Sequence, residues 1–364
     1  MAAPFITDFS VERLTAPLIQ PFRIATGSHP YLDNVVFSIE VNGHPAGLGE
    51  AAVATHITGE TVDQTIKNLN SVGLKLIGQR IDQIMILSRQ LNEALPNNPC
   101  AVAAGEMALL DAWTSLCRVP LYQFFGGAGC CLITDITIVL ADLQETSDTV
   151  RRFYLQGFRQ FKVKIGKNQD SDFERLLAIK KIAPRCPIYL DANQAYSAEG
   201  MLKFLQRLKK VGITPALIEQ PVPRHDIDGL AKITRAVRIP VCADESVRTS
   251  MDARRLIDKR AVSAINIKLM KSGFIRGREI VFLAKKAGLP LMMGAMMESP
   301  LAILAGAHFC AGLGGFQFID LDTAYFLKKQ SGLQRVIKPG GKINLGPVKA
   351  GIGVRREILN ALAK

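Results

Sequence analysis

The sequence predicts an α/β protein: a TIM-type barrel preceded by a smaller α+β domain. Three observations carry that reading. From residue 130 onward, short apolar runs rich in β-formers alternate with amphipathic helical stretches. The polar residues that close successive runs, Lys164, Asp191, Glu219, Asp244 and Lys268, recur roughly every 26 residues, about the length of one strand–helix unit of a parallel barrel. No glycine-rich dinucleotide fingerprint follows an early run, which argues against an open doubly wound sheet.

Residues 1–125 read as the α+β domain. "MAAPFITDFSVERL" carries Asp8 and Glu12 early and lacks the basic and apolar regions of a signal peptide. "NVVFSIEVNGHPAGLGEAAV" (34–53) reads as a strand, a turn at Asn42-Gly43 and a return strand. Three helical stretches follow, ending with "AVAAGEMALLDAWTSLC". The barrel is expected over 126–330. Its eight runs are 134–140, 161–165, 187–191, 216–219, 239–244, 263–268, 289–294 and 316–320. Between them, 171–183 reads as a helix capped by Ser171 with Glu174 three residues on. A second helix, 198–212, ends at Gly212. Residues 331–364 are rich in Gly and Pro, hold no further unit, and are expected to return to the first domain.

Composition bounds the function. With 364 residues the chain can bury a large core, and no apolar stretch is long enough to span a bilayer. Seven cysteines without a CxxC pair suggest reduced thiols and a cytoplasmic protein. The net charge of +13 is scattered among acidic residues, without zinc-finger spacing or an aromatic-rich RNA motif. Neither nucleic acid nor membrane is expected as a partner. The excess charge is read as a solvated surface that helps an anionic substrate approach. The sequence is compatible with a homo-oligomer.

"FKVKIG" places Lys162 and Lys164 two apart on a strand, hence on one side. Alone this is an edge strand guarded by lysines. Barrel strands are covered on both faces, so the lysines are expected to point into the mouth at the strand ends. Asp191, Glu219 and Asp244 end three successive runs there, and three such carboxylates repel unless a cation lies among them. Oxygen ligands of that kind suit Mg²⁺. Lys268 stands across the barrel from Lys164. A metal between two opposed lysines suits removal of a proton beside a carboxylate and its return from the other face. Lys162 is expected to stay cationic and stabilise the developing oxyanion.

Taken together, "KVK", "DANQAY", "IEQP", "ADES" and "NIKLMKSG" resemble the muconate-lactonizing subgroup of the enolase superfamily, over essentially the whole chain. The resemblance implies a capping α+β domain, a (β/α)7β barrel and a C-terminal return to the cap. It implies Asp191, Glu219 and Asp244 as Mg²⁺ ligands, Lys164 and Lys268 as acid/base pair, and Lys162 as enolate support. "FIDLDTAYFL" puts Asp320 and Asp322 two apart, resembling the Asp-x-Asp motif with which dipeptide epimerases receive a substrate ammonium. The expected activity is an isomerase's: inversion of the C-terminal α-carbon of an L-Ala-Xaa dipeptide, with Xaa glutamate or hydrophobic. Muconate cycloisomerase and o-succinylbenzoate synthase share the fold but handle no ammonium. A non-catalytic basic binding protein is the alternative from another class. "GAMMES" offers Met297 and Glu298 as pocket or supporting residues, and Arg23 in "PFRIATGS" as a counter-charge for a glutamate substrate. His29 and His56 fall in cap loops, and His308 on the apolar "LAILAGAHFCAGL" stretch reads as core.

Overall fold

The structure, a computed structural model, describes residues 3–24, 27–166, 168–329 and 332–363. The cap opens with a three-stranded antiparallel sheet of β1 (Ile6–Ile24), β2 (Gly27–Val41) and β3 (His44–Ala51). Asn42 and Gly43 join β2 to β3 with φ of 51° and 78°, the left-handed pair that a two-residue hairpin turn requires. The first two strands form a long hairpin whose far end, Phe22 paired with His29 and Arg23 with Ser28, reaches the barrel mouth. Four helices follow: α1 (Thr55–Thr58), α2 (Val62–Leu76), α3 (Ile84–Ala94) and α4 (Pro99–Leu116). Helix α4 is buried almost all round. It lies so close to β3 that a Cβ at Gly49 would collide with the Ala104 carbonyl, so glycine permits the contact.

After the short helix α5 (Leu121–Phe124) and strand β4 (Cys131–Ile133), eight parallel strands form the barrel. They are β5 (Ile136–Ile138), β6 (Phe161–Lys164), β7 (Ile188–Asp191), β8 (Leu217–Glu219), β9 (Val241–Ala243), β10 (Ala264–Ile267), β11 (Leu291–Met293) and β12 (Phe316–Ile319). Each falls inside the apolar run that predicted it. Neighbours in sequence are neighbours in the sheet, and the Asp135 N–H donates to the Ile319 carbonyl at 2.9 Å where the last strand meets the first. Helices α6 (Leu143–Leu155), α7 (Gln169–Ile182), α8 (Ala198–Lys210), α9 (Ile227–Ala236), α10 (Ser250–Asp258), α11 (Leu269–Lys286) and α12 (Pro300–Leu313) alternate with them. Helix α7 is not capped by Ser171. Asn168 Oδ1 accepts the Asp170 and Ser171 N–H groups at 3.0 and 3.1 Å, starting the helix earlier and leaving Ser171 exposed in its first turn.

Strands β13 (Ile337–Lys338) and β14 (Lys342–Asn344) pair antiparallel with β4. The chain then runs to α13 (Arg356–Ala363), where Arg356 donates to Ser38 Oγ at 2.8 Å and pairs with Glu12 of β1. Buried cap carboxylates register cap on barrel at helix N-termini, where unpaired amides await acceptors. Glu50 accepts the Ser299 and Ala302 N–H groups at 2.8 and 3.2 Å at the start of α12. Glu106 accepts those of Phe274 and Ile275 at 2.5 and 3.2 Å, just past Gly273, whose φ of 68° kinks α11.

Candidate active site

Strand alternation sorts the barrel interior into layers. Tyr189, Leu217, Cys242, Ala264 and Met292 form an apolar plug with Phe318, whose ring meets Tyr189 edge-on at 5.5 Å. Two residues further along the same strands stand Asp191, Glu219, Asp244, Asn266, Gly294 and Asp320. The parity that places apolar side chains in the plug therefore places the polar ones at the mouth. On β6, Lys162 lies opposite Tyr189 and Lys164 opposite Asp191 in register. Lys268 follows β10, which lies four strands from β6 in the eight-stranded order and so on the opposite wall.

The ammonium of Lys162 is a hub, 2.6 Å from Asp320 Oδ2, 2.8 Å from Glu219 Oε2 and 3.0 Å from Asp191 Oδ2. Lys164 Nζ lies 2.6 Å from Asp191 Oδ2, and Lys268 Nζ 2.8 Å from Asp244 Oδ2. Lys271 donates to Asp244 Oδ1 at 2.6 Å, and Asn266 Nδ2 to Glu219 Oε1 at 2.6 Å. Burial alone would strip the proton from Lys162, but Asp191, Asp320 and Glu219 override it and hold the group well above its usual value. Lys268 is likewise pushed up, by Asp244 against its burial. Asp191 and Asp244 stay ionised despite burial because the lysines hold them well below the carboxylate range. Glu219 is driven upward by burial and by Asp191.

Two features bear on a metal. Glu219 Oε2 and Asp244 Oδ2 are buried and accept no hydrogen bond, although an ammonium lies within ion-pair distance of each. Buried carboxylate oxygens on adjacent strands, balanced only by lysine ammoniums, suit a hard divalent cation. Among the described residues, the carboxylates whose oxygens converge within 4.8 Å are a different set: Asp135, Asp320 and Asp322. Asp322 accepts the Thr137 N–H at 2.6 Å, and burial and Asp320 push its carboxyl up to about 7. Both oxygens of Asp135 lack a partner, and burial with Asp320 and Asp322 raises that carboxyl strongly. This side of the mouth is short of positive charge.

A cleft opens above the network. Lys162, Lys164, Lys268, Asp320 and Asp322 line it, with an apolar wall of Phe22, Ile57, Ala295, Met296 and Met297. His56 lines it as well, whereas the side chain of His29 lies outside the described residues. Glu298 does not line it. That residue is buried behind the wall, accepting the Met296 N–H at 2.9 Å, and burial pushes its carboxyl up to about 8. Arg23 does not line it either. Its guanidinium turns to Glu145 on α6, 3.2 Å from both oxygens, because the hairpin tip carries it over that helix rather than over the mouth. Besides Lys271, four supporting residues were not picked out from the sequence. Gln220 Oε1 accepts the Asp244 and Ser246 N–H groups at 2.9 and 3.1 Å, tying "IEQP" to "ADES". Arg175 donates to the Lys164 and Val139 carbonyls at 2.9 and 2.8 Å, fixing where β5 and β6 end. Asp135 and Asn266 were legible by parity, two residues before Thr137 and Lys268.

Two family models match the chain. Residues 8–126 match the mandelate racemase/muconate lactonizing enzyme N-terminal domain, and 145–357 the enolase C-terminal domain-like model. The hydrophobic dipeptide epimerase of Citrifermentans bemidjiense is 46% identical, over 96% of this chain and 97% of its own. The L-Ala-D/L-Glu epimerase of Bacillus subtilis is 33% identical over 96% of both. The crystal structure of the dipeptide epimerase from Enterococcus faecalis V583, complexed with Mg and L-Leu-L-Tyr, superposes with a TM-score of 0.90 at 30% identity, covering 96% of this chain and 99% of that one.

Proposed function

The chain belongs to the mandelate racemase/muconate lactonizing enzyme family of the enolase superfamily, and from that premise we propose that it is a Mg²⁺-dependent epimerase of dipeptides with a hydrophobic C-terminal residue. One observation carries the reading: Lys164 and Lys268 come from opposite walls of the barrel and line a single cavity. A dipeptide laid across that cavity has its carboxylate toward β7–β9, its ammonium toward β12, and its C-terminal α-carbon between the two lysines.

Each wall matches the end of the substrate that faces it. Asp320 and Asp322 accept the ammonium, and the excess of buried acid around Asp135 makes that side favourable for a cation. A metal on that side would repel the ammonium, so Asp191, Glu219 and Asp244 are assigned as the Mg²⁺ ligands. There the cation supplies positive charge beside the substrate carboxylate and so acidifies the neighbouring C–H. Lys164 and Lys268 remove and return the α-proton on opposite faces, the former serving the L-configured substrate. Lys162, held cationic by its carboxylates, stabilises the negative charge that develops on the carboxylate oxygens. A cycloisomerase or o-succinylbenzoate synthase would leave Asp320 and Asp322 without a ligand charge.

Phe22, Ile57, Met296 and Met297 receive the C-terminal side chain. With Arg23 on Glu145, the apolar wall holds no lysine or arginine among the described residues, which favours apolar residues as the expected substrate. The test is a library of L-Ala-L-Xaa dipeptides incubated in D₂O with Mg²⁺ and scored by mass spectrometry for deuterium at the C-terminal α-carbon. Exchange led by Leu-, Met-, Phe- or Tyr-terminated members is expected. Exchange led by Lys- or Arg-terminated members overturns the specificity, and no exchange in any member overturns the activity.

A further inference from the structure

Cys130 and Cys131 are consecutive, and consecutive side chains of a regular strand leave on opposite faces. Here their sulfurs lie 3.8 Å apart. The cause is local. Cys131 opens β4 and sits opposite Asn344 in the ladder with β14, while Cys130 precedes the strand and is free of its alternation. The backbone around the pair is pinned, because the Cys130 carbonyl accepts the Leu345 N–H at 2.7 Å. Cys131 is exposed and Cys130 partly so, and neither lines the catalytic cavity. Cys100, Cys186, Cys242 and Cys310 are buried, and Cys117 is exposed.

We propose that Cys130 and Cys131 form a bidentate dithiol site for trivalent thiophilic metalloids, with organic arsenic(III) oxides as the ligand class. Two S–As bonds form and the As–O linkage breaks. The two thiol protons leave with the oxide oxygen as one molecule of water, and arsenic stays trivalent, so no oxidant or reductant is needed. Soft sulfur ligands suit such a centre. After the first S–As bond forms, the second sulfur is already adjacent, and closure is intramolecular at high effective concentration. A monothiol therefore competes poorly, whereas a small dithiol competes on equal terms.

The experiment uses the intact, reduced enzyme and phenylarsine oxide at one equivalent. One phenylarsenic group per chain is expected by intact mass, surviving excess 2-mercaptoethanol and removed by 2,3-dimercaptopropanol. Trypsin cleaves after Arg118 and Arg151, and the 119–151 peptide between them holds Cys130 and Cys131 and no other cysteine, so the adduct must map there. Cys131→Ala should lose the monothiol-resistant adduct while keeping wild-type turnover, which doubles as proof of folding. Cys117→Ala should bind as the wild type does. A resistant adduct that persists in Cys131→Ala, an adduct that maps to another peptide, or no resistant adduct on the native enzyme would each overturn the site. Peptide mapping of the native protein decides the matter even if a variant folds poorly.

Discussion

His308 makes the stability of this enzyme fall with pH in a way that can be isolated. The ring is buried in α12, where Nδ1 accepts the Tyr122 N–H at 3.0 Å and Nε2 faces the Ile352 carbonyl at 3.1 Å. Only the tautomer with its hydrogen on Nε2 satisfies both partners, and a second proton on Nδ1 would point at another donor. Burial accordingly lowers its pKa from 6.5 to about 4. A depressed histidine contributes fully above its unfolded value and loses that contribution as pH falls toward its folded one. At about 1.4 kcal/mol per unit, roughly 2 kcal/mol disappears between pH 7 and 5, and about 3 by pH 4. Asp111 opposes it. That carboxyl accepts the Ile352 and Leu48 N–H groups, and burial raises it from 3.8 to about 6, so its contribution grows as pH falls through the same window. Asp322 and Glu298, raised by burial to about 7 and about 8, act in the same direction as Asp111, so the wild-type profile alone does not isolate the histidine. Urea unfolding of wild type and His308→Gln, each at pH 7 and pH 5, removes the Asp111 contribution by difference. The wild-type advantage over the variant should shrink by about 2 kcal/mol at the lower pH. An advantage unchanged within about 0.5 kcal/mol would refute a buried neutral histidine.

Four further outcomes are expected. Chelation with EDTA should abolish epimerisation and Mg²⁺ restore it; full turnover by enzyme shown metal-free by elemental analysis would sink the metal assignment. Lys164→Ala and Lys268→Ala should each lower epimerisation by about 10³-fold or more while leaving one-sided deuterium exchange measurable by NMR; interconversion near the wild-type rate in either variant would exclude the two-base mechanism. Met297→Glu should cut kcat/KM for a hydrophobic dipeptide about 10-fold or more and raise it for a lysine-terminated one, because a carboxylate then stands in the apolar wall. Arg23→Ala, by contrast, should change all dipeptides alike and by less than about threefold, since it breaks only an exposed pair with Glu145.

The barrel was legible because it repeats. Parallel strands covered on both faces must be apolar, and the few polar residues that interrupt them therefore stand out at the ends. Parity then assigns each to the interior: the step from Tyr189 to Asp191, or from Leu217 to Glu219, is a step from plug to mouth. The β2–β3 hairpin of the cap was legible for a similarly local reason, since its turn chemistry lies in the adjacent Asn42 and Gly43. What the sequence concealed depends on partners far along the chain. Lys162 meets Asp320 158 residues away, and nothing local to either predicts that the lysine bridges both halves of the site. Asn168 displaced Ser171 because two plausible caps lay within one turn, and backbone geometry, not residue type, chose between them. Arg23 shows the limit most sharply. Its position near the tip of a hairpin follows from strand register, but the side chain is long and half exposed, so its direction is set by whichever acid lies nearest. Here that acid is Glu145, on a helix whose contact with the hairpin no local pattern announces. Buried side chains inherit their direction from the strand, whereas exposed ones take it from tertiary neighbours, which is why Lys162 could be placed from the sequence and Arg23 could not.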